Sequence, residues 1–90
     1  MPARKLKRVV SELEEIPGVG PSIADDLHRI GITQVAQLKN ADPQKLFERA
    51  NRAHGVVMDR CLLYVFRCAV YYASNVRHKP EKLKWWNWKD

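Results

Sequence analysis

Ile16-Pro17-Gly18-Val19-Gly20-Pro21-Ser22 decides the fold of this chain, with Leu13 before it and Ala24 and Leu27 after it. A helix arriving at Pro17 ends there, because proline disfavours the helical conformation in the residue that precedes it. Pro21 suits the first turn of a following helix, where its missing N–H costs nothing. Between the two prolines, glycines without Cβ accept a positive φ and let another group approach their backbone. The stretch therefore reads as helix, tight hairpin and helix. Its bare amides lie beside the N-terminus of the second helix, where unpaired N–H groups and the macrodipole favour an anion such as phosphate.

The spacing resembles the helix-hairpin-helix motif, a DNA-backbone binder without sequence preference found in many repair and recombination proteins. Leu13, Ile16, Gly18, Val19, Gly20, Ala24 and Leu27 carry the match, with Gly-apolar-Gly at the turn. One position departs from it. Strong DNA binders of this type carry Lys or Arg just after the hairpin, whereas Ser22 stands here, followed by acidic Asp25 and Asp26. The same stretch also fits a hairpin that merely joins two packed helices.

Ninety residues suit one domain near the small end of what a single core stabilises. A formal charge of +6 favours anionic partners, nucleic acid or an acidic protein surface. The charge is unevenly placed. Arg4, Lys5, Lys7 and Arg8 form a basic lead over residues 1–10, whereas residues 11–30 hold five acidic side chains against Arg29 alone. Basic residues return in Lys45, Arg49, Arg52 and Arg60, and again in Arg77, Lys79, Lys82, Lys84 and Lys89. A positive surface surrounds the hairpin only if the fold carries the two ends of the chain to it. No apolar run follows the basic lead, so a secretory signal is not expected. The apolar stretch from Cys61 to Ala73 is too short to span a bilayer and is interrupted by Arg67. A cytoplasmic protein is expected, and two cysteines agree with a reducing compartment.

Along the chain, Ser11-Glu12-Leu13-Glu14 fits a capping box and starts a short helix. A second helix runs from about Pro21 to Ile30, with Ile23, Leu27 and Ile30 on one face and Gly31 as its C-cap. Thr33 caps a short third helix through about Lys39. Asp42-Pro43 starts a fourth that carries Leu46, Phe47 and Ala50 and stops near Gly55. Gly31-Ile32-Thr33 through Asp42-Pro43 is similar to the carboxy-terminal domain of the bacterial RNA polymerase alpha subunit, a double helix-hairpin-helix fold. That likeness implies a second hairpin, for which Gly55-Val56-Val57 is the candidate, a degenerate copy that preserves packing.

The fifth helix, about Val57 to Ser74, is apolar nearly all round and is the core helix. Leu62, Phe66, Ala69 and Ala73 form one line on it. Tyr64, Phe66, Tyr71 and Tyr72 read as core packing rather than base stacking, and Arg67 as structural. Pro80-Glu81 starts a last helical turn. Trp85, Trp86 and Trp88 then fold back to close a thin core, the alternative being an exposed stacking or partner-binding patch.

Cys61 and Cys68 lie two turns apart, about 10.5 Å along a helix, beyond the ~7 Å reach of a disulfide. Both read as buried thiols. His54 with these two cysteines offers three metal-ligand types but no C-x-x-C spacing, so no metal and no cofactor are assigned. Asp25 and Asp26 are adjacent and point to different sides of their helix, and His28 and His78 stand without a nucleophile. A non-enzyme is expected.

Ile16 to Gly20, Asp59 to Tyr71 and Leu83 to Trp88 together resemble the small bacterial pathogenicity-locus family, some of whose members are labelled mitomycin-resistance proteins. The resemblance covers the chain from about Leu13 to Asp90 and implies a single-domain helix-hairpin-helix protein with a link to DNA damage. The expectation is an all-α, compact domain of five to six helices over residues 11–90. One hairpin and a degenerate second give it a SAM-like, double helix-hairpin-helix character. It binds DNA backbone through the amides of Gly18, Val19, Gly20 and Ser22, supported by Arg4, Lys5, Lys7, Arg8 and Arg29, as a monomer or weak homodimer. The competing reading is a protein-interaction adaptor that keeps the fold without using it on DNA. A thiol sensor using Cys61 and Cys68 is a third.

Overall fold

The computed structural model describes residues 11–89. The basic lead with Arg4, Lys5, Lys7 and Arg8 lies outside them. Among the described residues the chain is all-α without a strand: helices α1 (Pro21–Arg29), α2 (Pro43–His54) and α3 (Arg60–Ser74), with four 3₁₀ turns at Glu12–Glu15, Val35–Leu38, Pro80–Leu83 and Trp85–Trp88. Five or six helices are thus not found. The first and third expected helices are single 3₁₀ turns, because each has only four residues between its caps.

The capping boxes are set locally. Ser11 Oγ accepts from the Leu13 N–H at 3.2 Å and the Ser11 N–H donates back to Glu14 at 3.4 Å, completing the expected box. Thr33 is not the cap of the Val35–Leu38 turn. Gln37 reaches back instead, and its Oε1 accepts from the Thr33 and Gln34 amides, each at 2.8 Å. A long side chain there offers an acceptor that a threonine at the other end cannot.

α1 stops as the sequence indicates. Gly31 takes φ +90°, its N–H donates to His28 O at 3.0 Å, and the Ile32 N–H reaches back to Leu27 O at 2.9 Å. This pair of bonds is a Schellman ending, and Leu27 and Ile32, the residues it joins, are both buried. α2 begins on Asp42, whose carboxylate accepts from the Gln44 N–H at 2.9 Å, and ends on left-handed Gly55.

α3 begins at Arg60 rather than Val57, because Asp59 caps it by accepting from the Cys61 N–H at 2.8 Å. The residues ahead of the cap stay outside the core. Val57 is 86% exposed and Val56 61%, so Gly55-Val56-Val57 keeps a C-cap glycine but none of the packing expected of a second hairpin. Leu63, Phe66, Cys68 and Ala69 of α3 are fully buried, and the helix packs against α2, the Val35–Leu38 turn and both carboxy-terminal turns. No helix among the described residues is long and apolar enough to cross a membrane.

Replacing Gly31 by alanine should cost about 1–2 kcal/mol, the price of a Cβ in left-handed backbone. Only Arg49 Nη2 lies near the new methyl, at 3.9 Å, so the cost is conformational and not steric. Urea unfolding reads it directly; an unchanged midpoint would contradict the cap.

Candidate nucleic-acid interface

The hairpin is a tight turn pinned from beneath. Ile16 is extended at φ −74° and ψ 127°, as a residue before proline prefers. The Val19 N–H donates to Ile16 O at 3.0 Å and closes the turn. With proline second and a glycine at φ +89° third, Ile16 to Val19 has the marks of a type II turn. Leu13, Ile16 and Val19 are buried, whereas Gly18 is exposed. The apolar side chains hold the turn, and Gly18 keeps part of its surface in water.

The two glycines do different work. Gly18 supplies the positive φ. Gly20 is extended at φ −98° and ψ −170° and is the N-cap of α1 without a side-chain cap, with open space around its Cα. The four expected phosphate-holding positions also separate. The Val19 amide is engaged with Ile16 O, while among the described residues no acceptor is paired with the amides of Gly18, Gly20 or Ser22.

The acidic residues after the hairpin are placed so that they leave it clear. The first turn of α1 contains no acid. Asp26 is turned inward, 7% exposed, where His54 Nε2 donates to it at 2.8 Å and ties α1 to α2. Asp25 faces solvent and pairs with Arg29 at 3.1 Å. Arg29 therefore sits at the far end of α1, roughly 12 Å from Pro21 by helical rise, and is already engaged by a carboxylate. The fold does not bring it to the hairpin.

What the fold does bring is the carboxy-terminal segment. A Cβ built on Gly18 would stand 3.0 Å from Trp85 Cδ1, so the Trp85 indole lies on the bare glycine. Lys84, exposed, immediately precedes it. The segment is anchored to α3: Arg67 Nη1 donates to Trp88 O at 2.7 Å, and Trp88 Nε1 donates to Lys82 O at 2.8 Å. Arg67 is structural, as its sequence setting implies, and its guanidinium also lies over the Tyr64 ring. Of the three indoles, Trp85 and Trp88 are half-buried, but Trp86 stays 48% exposed instead of covering the core. Nothing in the local sequence sets Trp86 apart from its neighbours.

Comparison with known proteins now bears on this arrangement. The family described as Cdd1, Pathogenicity locus, matches residues 6–90. The chain belongs to the pathogenicity-locus family. This pathogenicity-locus chain is also similar to the mitomycin resistance protein McrB of Streptomyces lavendulae, 40% identical over 78 residues, covering 87% of this chain and 70% of that protein. No solved structure matches it.

Contrary to the expectation that His28 and His78 stand alone, both are held in contacts within the fold. His28 Nε2 and Ser11 Oγ share a hydrogen bond of 2.9 Å, and His78 Nε2 donates to Tyr72 O at 2.8 Å while its ring stacks on Tyr72. Cys68 is buried as expected and burial pushes its thiol up. Cys61, on the first turn of α3, is exposed among the described residues rather than buried. Its hydrogen bond to Asp59 raises its pKa, and the Cys61 amide and thiol together hold Asp59 below the usual carboxylate range.

Gly18→Ala should lower stability by more than about 1–2 kcal/mol, because the new Cβ meets both left-handed backbone and the Trp85 indole. Gly20→Ala should cost less, roughly 0.5–1 kcal/mol, the difference between the two residues as N-caps. Equal denaturation midpoints for the two variants would refute this division of labour. In native protein Cys61 should alkylate at pH 7 more slowly than a free thiol, despite its exposure, and Cys68 only on unfolding; mass spectrometry of a timed iodoacetamide reaction distinguishes them.

Proposed function

We propose that this pathogenicity-locus chain binds the DNA backbone, without sequence preference, at a helix-hairpin-helix site formed by the Glu12–Glu15 turn, the hairpin and α1. The observation that carries the reading is the N-terminus of α1. It has neither a side-chain cap nor an acid in its first turn, and it opens beside an exposed glycine turn. A phosphate placed there accepts from the amides of Gly18, Gly20 and Ser22 and from the Ser22 hydroxyl, and meets the positive end of the helix dipole. The Val19 amide, committed to the turn, takes no part.

Charge from the carboxy-terminal segment supports the site through Lys84. The lead with Arg4, Lys5, Lys7 and Arg8 is a second source of charge. Contacts of this kind position a protein on DNA but carry no sequence information. The reading is of a binding role, in which His28, His54 and His78 hold the fold together through Ser11, Asp26 and Tyr72. A backbone binder acting on damaged DNA in the bacterial cytoplasm also fits the mitomycin-resistance name of the Streptomyces lavendulae relative.

The adaptor reading is favoured by a different observation, the exposure of Val56 and Val57 between α2 and α3. An apolar pair kept in water at a helix junction suits a protein contact.

Gly20→Asp separates the two. Asp is at least as good an N-cap as glycine, so the fold should be kept, while its carboxylate occupies the amides that a phosphate needs. Against duplex DNA the parent's affinity should fall roughly ten- to fortyfold between about 50 and 200 mM salt, as two or three phosphate contacts require. The variant should bind about tenfold more weakly or worse. If the parent fails to bind at the lower salt, or Gly20→Asp binds as well as the parent, the adaptor reading replaces this one.

A further inference from the structure

The three indoles of the last turn have different surroundings. Trp88 is fixed by its Nε1 bond to Lys82 O and by the Tyr71 ring, 5.6 Å away. Trp85 packs on the core and on Gly18. Trp86 meets Trp85 nearly perpendicularly, at 5.7 Å between centroids and 87° between planes, and keeps about half of its surface in water. Its backbone is nonetheless held, since the Asn87 N–H donates to Lys84 O at 3.0 Å and Asn87 Nδ2 to Glu81 O at 2.8 Å. The ring is therefore exposed and presented by a fixed turn.

Its position relative to the hairpin gives it a use. Gly18 touches Trp85 and Trp85 touches Trp86, so the exposed ring lies only a few nucleotides of strand from the phosphate site, at about 3.4 Å of rise each. We propose that Trp86 is a stacking platform for an unpaired base, and that the preferred ligand is DNA with a single-stranded stretch at a duplex edge. This rests on the hairpin reading and adds the substrate class to it. A base inside a duplex has no free face, so stacking selects strands whose bases are already unpaired. Aromatic stacking accepts every base, which agrees with a site that has no base-reading element. Exposed Lys84, two residues before the ring, suits the backbone of such a strand.

The test uses the full chain and three DNAs: a blunt duplex, the same duplex with a short overhang, and that overhang made abasic. The parent should prefer the base-bearing overhang over the other two by at least about fivefold, the lower end of one aromatic–base stack. Trp86→Leu should bind all three alike, at the parent's blunt-duplex affinity, while Trp86→Phe keeps most of the preference. Helical circular dichroism of both variants should match the parent, since the ring is on the surface. If the abasic overhang binds as tightly as the base-bearing one, if Trp86→Leu keeps the preference, or if Trp86→Phe behaves as the leucine variant, the stacking platform is refuted while duplex binding leaves the hairpin reading in place. If the parent binds none of the three, both fall together.

Discussion

A helix that is apolar on nearly every side has to be surrounded, and that constraint on α3 organises the molecule. Phe66 and Leu63 are shut off from water completely. Removing such a ring costs about 3–5 kcal/mol, a large part of what a domain this small has to spare. α2 and the Val35–Leu38 turn cover part of the helix, and the Pro80–Leu83 and Trp85–Trp88 turns cover another part. The tryptophan-rich end is thus a structural cover first. Its position beside the hairpin follows from that, because the same segment that closes over α3 carries Trp85 onto Gly18.

The acidic run of residues 11–30 takes on a different meaning once the fold is formed. Glu12 accepts from the Val35 N–H at 2.7 Å, Glu14 from the Ser11 N–H, and Glu15 from the Tyr72 hydroxyl at 2.9 Å. Asp26 holds α1 to α2 through His54, and Asp25 balances Arg29. The glutamates join the Glu12–Glu15 turn to the Val35–Leu38 turn, to α3 and to its own cap. The bond to Glu15, with partial burial, also raises the pKa of Tyr72. What reads as a repulsive surface around a phosphate site is a set of scaffolding acceptors, and none of them stands in the first turn of α1.

The proposed site follows from this division. The turn backbone is fixed by buried Leu13, Ile16 and Val19, the dipole of α1 is left without a capping side chain, and the positive charge has to come from distant parts of the chain. A phosphate at the proposed site would be held by geometry and only weakly by charge. Affinity then depends on what else the ligand offers, and an exposed indole next to the hairpin offers a second kind of contact.

The sequence by itself determined the local punctuation. Ser11, Asp42, Gly31 and Gly55 act within four or five residues of themselves, so their caps and the bounds of α1 and α2 were legible. The apolar density of α3 marked it as the core helix, and the residue pattern from Ile16 to Trp88 indicated the family. Where two local signals competed, the reading failed: Gln37 displaced Thr33 as a cap, and Asp59 displaced Val57 as the start of α3. Tertiary structure alone decided that Asp26 turns inward to His54, that Cys61 is exposed while Cys68 is buried, and that Trp85 rather than Trp86 rests on Gly18. Each of these is a contact, or a missing cover, between elements far apart in the chain. Periodicity gives the face of a helix, but which neighbour covers that face depends on how all the elements share one small core.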